Sequence, residues 1–406
     1  MVARVQIPYG VQLLDEMRGI VNEVYLDYNG SSPIDPRVVE AMLPLLYDGV
    51  GNASSAHRFG RSQAGAADQA RERIAALVGG AASNVVLTAG ATEANNLVLR
   101  GAVDAAPADR PRILVSAVEH ASVSRTAQWL DHHGLAAVDV IPVSDGGFVD
   151  PDTLAALLGP DVLLVSVMAA NSETGVLNSV AEISRRAHAV GALFHCDATQ
   201  AAGRLAIDLA GMGADFVSLS SHKICGPGGV GALVGSGRSL RSLRPLIHGG
   251  GHERNLRSGS LNVAGAVGFG EACRIALDER AAEFVRVGLL RDRLAAELKH
   301  RIPAVCENGD VSRRIPNTAN VRFEGADAEA VVANMDPVAV STGSACSSGS
   351  IEPSAVLLAM GLSRDAAYES VRFSLGRFTT DSDIDAAVDA AVTAVEYVRA
   401  MNRESR

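Results

Sequence analysis

The chain lacks the features that would mark it as a membrane, secreted or nucleic-acid-binding protein. Its 406 residues contain no apolar run long enough for a transmembrane helix, which needs about 18 residues or more. The N-terminus has no basic region followed by an apolar core and a cleavage site, so we expect a cytoplasmic protein. The formal net charge of −10 argues against a nucleic-acid partner. No internal repeat or low-complexity tract is present.

Cysteine is scarce, and its five copies are not arranged for disulfide bonds or zinc. None forms a Cys-x-x-Cys pair and the number is odd, which fits neither a disulfide framework nor a zinc site. Cys196 follows an apolar run, so packing in a strand is its expected role. Cys346 lies in a small, polar, glycine-containing segment, 341–350, which is typical of a loop. A thiol there suits a nucleophile that must travel, the alternative being an incidental exposed cysteine.

The remaining composition is that of a compact globular protein. Apolar residues make up 48% and charged residues 20%, and the length allows one large and one smaller domain. Between residues 84 and 234, strand-like runs alternate with helical patterns. This alternation predicts an α/β fold with a mostly parallel, seven-stranded sheet. The predicted strands are 85–88, 113–117, 138–141, 163–168, 193–197, 216–220 and 231–234.

A smaller C-terminal α/β domain is predicted after residue 262. A helical pattern continues to about residue 300, and shorter elements follow it. We therefore expect an N-terminal helical arm (1–24), a large domain (25–262) and a small domain (263–406) that carries the Cys346 loop. The elements predicted in the small domain are strands 319–323, 338–341 and 371–375 and helices 328–335 and 381–401.

A lysine between two apolar runs is the first candidate for chemistry. Lys223 is predicted at the end of a short strand, just before the turn 226–229 and a second apolar run. A lysine between buried strands is costly unless it is paired or neutral. A Schiff base with a carbonyl cofactor meets this condition. A surface lysine on a turn explains the motif alone equally well.

Two further polar residues follow predicted strands. Asp197 ends strand 193–197, and open α/β sheets bind ligands at that end. A buried carboxylate needs a cation, such as the protonated ring nitrogen of pyridoxal phosphate, and capping of the next helix is the alternative. Thr92 lies where a helix begins after strand 85–88. Backbone N–H groups there would bind a phosphate, and an ordinary capping threonine with nearby Glu93 is the alternative.

Together, these elements resemble the pyridoxal-phosphate-dependent cysteine desulfurases of the NifS/IscS type, which are class-V aminotransferase-like proteins of fold type I. The resemblance extends from about Tyr25 to about Thr380, and the joint order of the motifs makes it specific. The matching segments are LDYN (26–29), GNASSAH (51–57), GATE (90–93), EH (119–120), DATQ (197–200), SSHK (220–223), HGGGHE (248–253), RSGS (257–260), SAC (344–346) and VRFSLG (371–376).

The resemblance implies pyridoxal 5′-phosphate as the cofactor and a set of residues that hold it. Lys223 would bond to the cofactor, and Asp197 would keep its ring nitrogen protonated. His120 would stack on the ring and assist proton transfer, with capping of the helix near Ser122 as its alternative role. The other implied cofactor contacts are Ala91, Thr92, Asn171, Ser172, Gln200, Ser220, His222 and, from the partner subunit of a homodimer, Ser260.

The resemblance also implies an activity, the removal of sulfur from L-cysteine to give L-alanine. The sulfur would remain as a persulfide on Cys346 and pass to an acceptor protein, for iron–sulfur cluster assembly or other sulfur transfer. Arg372 would bind the substrate carboxylate as a bidentate fork, with Asn29 nearby, and a surface ion pair is its alternative role. No metal and no membrane partner is expected.

Two segments depart from the family pattern, and two other functions compete. Ser172 stands where the family usually has a second asparagine that contacts the ring hydroxyl, and segment 29–33 also differs. One competitor is a selenocysteine lyase or a small-amino-acid aminotransferase of the same fold. The other is a scaffold without chemistry. Cys346 disfavours the aminotransferase, which needs no thiol. The scaffold is disfavoured by the joint presence of Lys223, Asp197, His120, Cys346 and Arg372.

Overall fold

The computed structural model describes residues 23–107, 109–343 and 352–404. The predicted arm (1–24) therefore lies almost wholly outside the described residues, and Cys346 lies outside them too. In chain order, the elements of the first half are β1 (Val24–Tyr25), α1 (Pro36–Asp48), α2 (Arg58–Leu77), β2 (Val85–Thr88), α3 (Ala91–Val103), β3 (Arg112–Ser116), α4 (Ala121–His132), β4 (Ala137–Ile141), α5 (Pro151–Leu157), β5 (Val162–Ser166), α6 (Val180–Ala189) and β6 (Leu193–Asp197). Those of the second half are β7 (Phe216–Ser220), β8 (Gly231–Gly235), α7 (Gly237–Leu240), α8 (Val263–Arg301), β9 (Val305–Glu307), β10 (Thr318–Phe323), α9 (Ala328–Ala333), β11 (Val338–Ala339), α10 (Ala355–Ala359), α11 (Arg364–Tyr368), β12 (Ser370–Ser374) and α12 (Asp381–Glu404).

A seven-stranded sheet forms the centre of the larger part of the fold, as the alternating pattern predicts. Its strand order is β2-β8-β7-β6-β5-β3-β4. Strand β8 runs opposite in direction to the other six strands of this sheet, because it pairs antiparallel with both β2 and β7. The residues of β5 and β7 are buried throughout, as expected for central strands covered by helices on both faces.

Two separate apolar cores cover the faces of this sheet. Helices α2, α6 and the first half of α8 pack on one face, where Ile74, Ile183 and Phe269 are fully buried. Helices α3 and α4 pack on the other face, where Leu99 and Leu130 are fully buried. Burial of a side chain of this size contributes about 1.5–3 kcal/mol to the stability of the folded state. Packing on both faces therefore stabilises the sheet, whose edge carries the loops.

The C-terminal part forms a second unit with a three-stranded antiparallel sheet, β12-β10-β9, and a two-stranded parallel sheet, β1-β11. Val24 and Leu26, near the start of the described chain, pack in this second core with Phe323, Phe373 and the helix α12. The predicted boundary at residues 262 and 263 stays a prediction. It falls at the N-cap of α8, where Asn262 Oδ1 accepts a hydrogen bond from Gly265 N.

Helix α8 is shared between the two units. Residues 266–276 pack in the core of the large sheet, and residues 287–298 pack in the C-terminal core. Across the three described ranges, no helix has the length and apolarity needed to cross a membrane.

Candidate active site

The candidate site lies at one edge of the large sheet. Strands β3, β5, β6 and β7 are parallel, and β2 points the same way because both β2 and β7 oppose β8. Their carboxyl ends therefore meet at a common edge, where ligands bind in open α/β sheets. Asp197 is the last residue of β6, and the segments that follow the other strands contain Gly90, His120, Asn171 and Lys223.

Lys223 stands one turn beyond its predicted position. Strand β7 ends at Ser220, and a single 3-10 turn, Ser221–Lys223, follows it, because Ile224 N donates back to Ser221 O. The Lys223 amine is half-buried and donates to Asn29 O and Gly30 O at 2.5 Å each. These bonds bring the segment after β1 to the sheet edge, so the surface-turn alternative does not describe this lysine.

Asp197 ends β6 and is 5% exposed. Its Oδ1 accepts from Thr199 N at 2.9 Å, and its Oδ2 accepts from Asn95 Nδ2 at 2.8 Å. The first bond closes a local turn, and the helix-capping alternative is wrong because no helix lies in the fully described segment between β6 and β7. The second reaches a different helix, α3, so Asp197 does more than cap its own turn.

His120 is the N-cap of α4, as its alternative role predicts. Its Nδ1 accepts from Ser122 N at 3.1 Å, and Ser122 Oγ lies 2.8 Å from the same nitrogen. Burial lowers the pKa of His120, and the Lys223 charge lowers it further, while the Asp197 carboxylate raises it. His120 therefore interacts electrostatically with both Lys223 and Asp197 at the edge of the sheet while it caps the helix.

The predicted phosphate contacts gather around the start of α3. Gly90, not Thr92, is the N-cap of this helix, with φ 155°, and a Cβ on Gly231 would lie 2.6 Å from its Cα. This close approach places the N–H groups of the first turn beside the end of β7. Ser220 Oγ lies 3.0 Å from His222 Nδ1. Burial and the Lys223 charge lower the pKa of His222 to about 4, so it is a neutral hydrogen-bonding group near pH 7.

The predicted substrate residues also meet. Arg372 Nη2 donates to Asp27 Oδ1 at 2.6 Å, and its Nη1 donates to Ser172 O at 3.0 Å. Asn29 Nδ2 donates to the same Ser172 oxygen at 3.0 Å. The Arg372 side chain is only 5% exposed and that of Asp27 is 25% exposed, so the ion pair is partly buried and not the surface pair considered as the alternative. Arg372 Nε is buried without a hydrogen-bond partner in the described parts of the chain.

The remaining predicted residues fall into three groups. Gln200 Nε2 donates to Asn29 O at 3.1 Å, so it joins the Lys223 cluster. Asn171 donates through Nδ2 to Val118 O and accepts through Oδ1 from two backbone N–H groups of its own turn, which is a structural role. Ser260 is exposed on this chain, and its contact with a partner's cofactor stays a prediction.

Glu119 is a buried acid that the sequence did not single out, although it precedes His120. Its Oε1 accepts from Ser116 Oγ at 2.5 Å and from Met168 N at 2.7 Å. Its Oε2 is buried without a partner among the described residues. Burial raises the pKa of Glu119 to about 8, so the carboxyl is mostly protonated near pH 7.

We expect Glu119→Gln to remove a pH-dependent loss of stability. The unfolded chain ionises Glu119 near its usual pKa, whereas the folded chain keeps the proton up to about pH 8. The free energy of unfolding of the wild type therefore decreases as the pH rises from the usual glutamate pKa to about 8, by about 1.4 kcal/mol per pH unit. The variant has no ionisable group at this position and lacks this decrease. Urea unfolding at about pH 5 and about pH 8 measures the difference. The exposed Glu40→Gln variant is the control, and equal pH dependence in all three proteins would contradict the assignment.

The donors at this edge fit pyridoxal phosphate. The described hydrogen bonds to the buried Asp197 carboxylate come from neutral groups, the amide of Asn95 and the N–H of Thr199. Such a carboxylate still needs a cation, and a protonated ring nitrogen supplies one. Thr199 Oγ1 is also buried without a partner within the described ranges. The edge of the sheet therefore provides an amine, a carboxylate and a helix start, which are the kinds of group that this cofactor requires.

Comparisons with known proteins agree with the geometry. The family model described as aminotransferase class-V matches residues 24–387. The cysteine desulfurase IscS of Anaeromyxobacter dehalogenans (strain 2CP-C) is 43% identical over 380 residues, which are 93% of this chain and 94% of the relative. A solved NifS-like protein is 31% identical with a TM-score of 0.86, covering 92% of this chain and 100% of its own. A structure described as SspA in complex with cysteine is 31% identical with a TM-score of 0.77, covering 88% and 99%.

Proposed function

Because the chain belongs to the class-V aminotransferase family, we propose that it is a cysteine desulfurase that converts L-cysteine to L-alanine and retains the sulfur on Cys346. The observation that carries the proposal is the convergence of Lys223 and Asp197 at the carboxyl edge of the sheet. Relatives named cysteine desulfurase over 93% of the chain support it, as does the similar structure described with cysteine.

The residues at the sheet edge would hold pyridoxal phosphate. Lys223 would bond to its aldehyde, Asp197 would pair with its ring nitrogen, His120 would pack against the ring and Gln200 would contact the ring hydroxyl. Ala91, Thr92, Ser220 and His222 would hold the phosphate. When bound, the cofactor supplies a carbonyl for the substrate amine and a protonated ring that withdraws electrons from the substrate Cα.

The protein residues then handle the proton and the sulfur. Once the substrate amine has displaced it from the cofactor, the Lys223 amine would take the proton from the substrate Cα, and His120 would assist this transfer as a neighbouring polar group. The Cys346 thiolate attacks the substrate sulfur. A sulfur–sulfur bond forms while the carbon–sulfur bond breaks, so that a persulfide remains on Cys346 and the carbon skeleton leaves as alanine.

Arg372 orients the substrate through its carboxylate. Its guanidinium is already fixed by Asp27 Oδ1 and Ser172 O, so little side-chain freedom is lost when a second carboxylate binds. Asn29 braces the same Ser172 oxygen. A fixed fork of this kind selects an α-carboxylate next to the reacting amine.

We expect Arg372→Lys to raise the KM for L-cysteine by about tenfold to a hundredfold. A lysine keeps the charge but loses the planar fork that binds a carboxylate through two hydrogen bonds. Steady-state alanine formation measures KM and kcat separately. Arg322→Lys is the matched control, because Arg322 lies in the adjacent strand β10 and pairs with Glu369. Equal KM values in the two variants would show that Arg372 does not bind the substrate.

The destination of the sulfur is a protein acceptor of iron–sulfur cluster assembly or another sulfur-transfer route. We also propose a homodimer, in which Ser260 of one subunit completes the phosphate site of its partner, and a cytoplasmic location. Sedimentation of the cofactor-loaded protein tests the dimer, and an active, loaded monomer would exclude this arrangement.

The direct test of the function is product formation by the cofactor-loaded protein. L-cysteine with a reductant should give alanine and sulfide in equal amounts. Without a reductant, the peptide that contains Cys346 should gain the mass of one sulfur atom. Turnover of L-selenocysteine without turnover of L-cysteine would instead favour the selenocysteine lyase, and a colourless protein that binds no cofactor would favour the scaffold.

A further inference from the structure

A hydrogen-bonded chain of side chains joins His120 to Asp197. Its middle residue is Asn95 of α3, which is 0% exposed. Asn95 Nδ2 donates to Asp197 Oδ2 at 2.8 Å and to Ser122 Oγ at 2.8 Å. Ser122 Oγ in turn lies 2.8 Å from His120 Nδ1. The four side chains come from β6, α3 and the start of α4, so folding brings them together.

The direction of each hydrogen bond in this chain is fixed. An ionised carboxylate only accepts, so the Asn95 atom that faces Asp197 must be the amide nitrogen. This holds although Asn95 Oδ1 is left buried without a partner among the described residues, because the reversed amide would set oxygen against the carboxylate. The same nitrogen donates to Ser122 Oγ, and the hydroxyl that accepts this bond keeps its own hydrogen for a further partner.

The backbone decides the protonation state of His120 Nδ1. The backbone N–H of Ser122 points at His120 Nδ1 over 3.1 Å, and an amide N–H cannot accept. Nδ1 must therefore carry a lone pair, and the Ser122 hydroxyl beside it donates its hydrogen to it. The proton of the neutral ring is then on Nε2. Protonation of Nδ1 would set the backbone N–H of Ser122 against a second N–H and remove the cap of α4.

We propose that Asn95 is a positioning residue that, through Ser122, holds His120 as the neutral Nε2–H tautomer and orients the Asp197 carboxylate. In this form His120 donates a hydrogen bond from Nε2 and does not accept the substrate proton, which leaves the base role to Lys223. The burial of His120, which lowers its pKa, acts in the same direction. This inference rests on the proposed function for its catalytic meaning, but the tautomer itself does not depend on the substrate.

Nitrogen NMR of the cofactor-loaded protein with labelled histidine tests the tautomer first. The His120 signals are those missing from His120→Gln. We expect an unprotonated, hydrogen-bonded Nδ1 and a protonated Nε2 near pH 7. A protonated Nδ1, or a ring protonated at both nitrogens, overturns the proposal whatever the substrate proves to be.

Variants then test the role of Asn95. Asn95→Leu and Ser122→Ala should each lower kcat by about tenfold to a hundredfold with little change in KM, and should move the Nδ1 signal. Ser122→Thr, which keeps the hydroxyl, should restore both. The double variant should cost no more than the worse single variant, because the two residues act as one unit. Ser124→Ala is the control, since Ser124 lies in the same helix turn and its hydroxyl donates to the backbone oxygen of His120.

These outcomes separate the two proposals. Wild-type protein that forms no alanine from L-cysteine would refute the function, while the wild-type His120 spectrum would still decide the tautomer. An Asn95→Leu variant with the kcat and His120 spectrum of the Ser124→Ala control would refute the positioning role, even in an active desulfurase.

Discussion

Lys223→Ala should reduce alanine formation from L-cysteine by at least about a thousandfold, the range expected when a catalytic acid–base group is removed. In the proposed mechanism, the Lys223 amine bonds to the cofactor and moves the substrate proton. It is held by two backbone oxygens, Asn29 O and Gly30 O, and alanine leaves no amine there. The variant should also lose the yellow absorbance of the covalently bound cofactor.

The chain offers a matched control for this experiment, because its sequence contains only two lysines, Lys223 and Lys299. Lys299 pairs with Glu307 in the C-terminal unit, away from the sheet edge. Lys299→Ala should keep both the absorbance band and the activity. An unchanged yellow band with normal activity in Lys223→Ala would end the assignment of pyridoxal phosphate to this lysine.

Cys346→Ala should still bind the cofactor and L-cysteine but should form almost no alanine or sulfide. Lys223, Asp197 and Arg372 remain in the variant, so the absorbance change on adding L-cysteine should persist. No thiol is then available to attack the substrate sulfur, and the loss should again reach at least about a thousandfold. The expected product of the wild type, a persulfide on Cys346, should be missing from the mass spectrum.

A second cysteine variant tests whether turnover needs Cys346 in particular or any exposed thiol. Cys306 is free and exposed in β9, and Cys306→Ala should leave turnover unchanged. L-selenocysteine should still be turned over by Cys346→Ala, because selenium leaves more readily than sulfur. Desulfuration of L-cysteine by Cys346→Ala at the wild-type rate would rule out the persulfide mechanism and favour direct elimination.

The strands of the large sheet were predictable because buried, parallel strands are short apolar runs bounded by turns. Strands β2, β6 and β7 have the predicted bounds, and the other four differ by one or two residues. The seven-stranded sheet is confirmed. Strand β9 was missed because it has only three residues, one of them exposed. Helices α10 and α11 have five residues each, too few to display a helical period.

The site residues that follow strands could be predicted for a similar reason. Residues after parallel strands meet at one edge whatever the helices do, which accounts for Asp197 and the approximate place of Lys223. The contacts of Asn95 and Ser122 could not be predicted, because they depend on how α3 and α4 pack against each other. The scarcity of lysine was a signal in the sequence: of two lysines, one lies between buried strands.

Helix α8 is buried against both sheets, so the two sheets should unfold together as a single cooperative unit. Its first half is buried with Phe269 and Ile275 against the large sheet, and its second half is buried with Leu290 and Leu294 in the C-terminal core. Unfolding of this one helix would expose apolar side chains of both cores to water at the same time. Amide hydrogens of β7 and β10 should therefore exchange through the same global opening, and thermal unfolding should pass through one transition, although the chain is large enough for two.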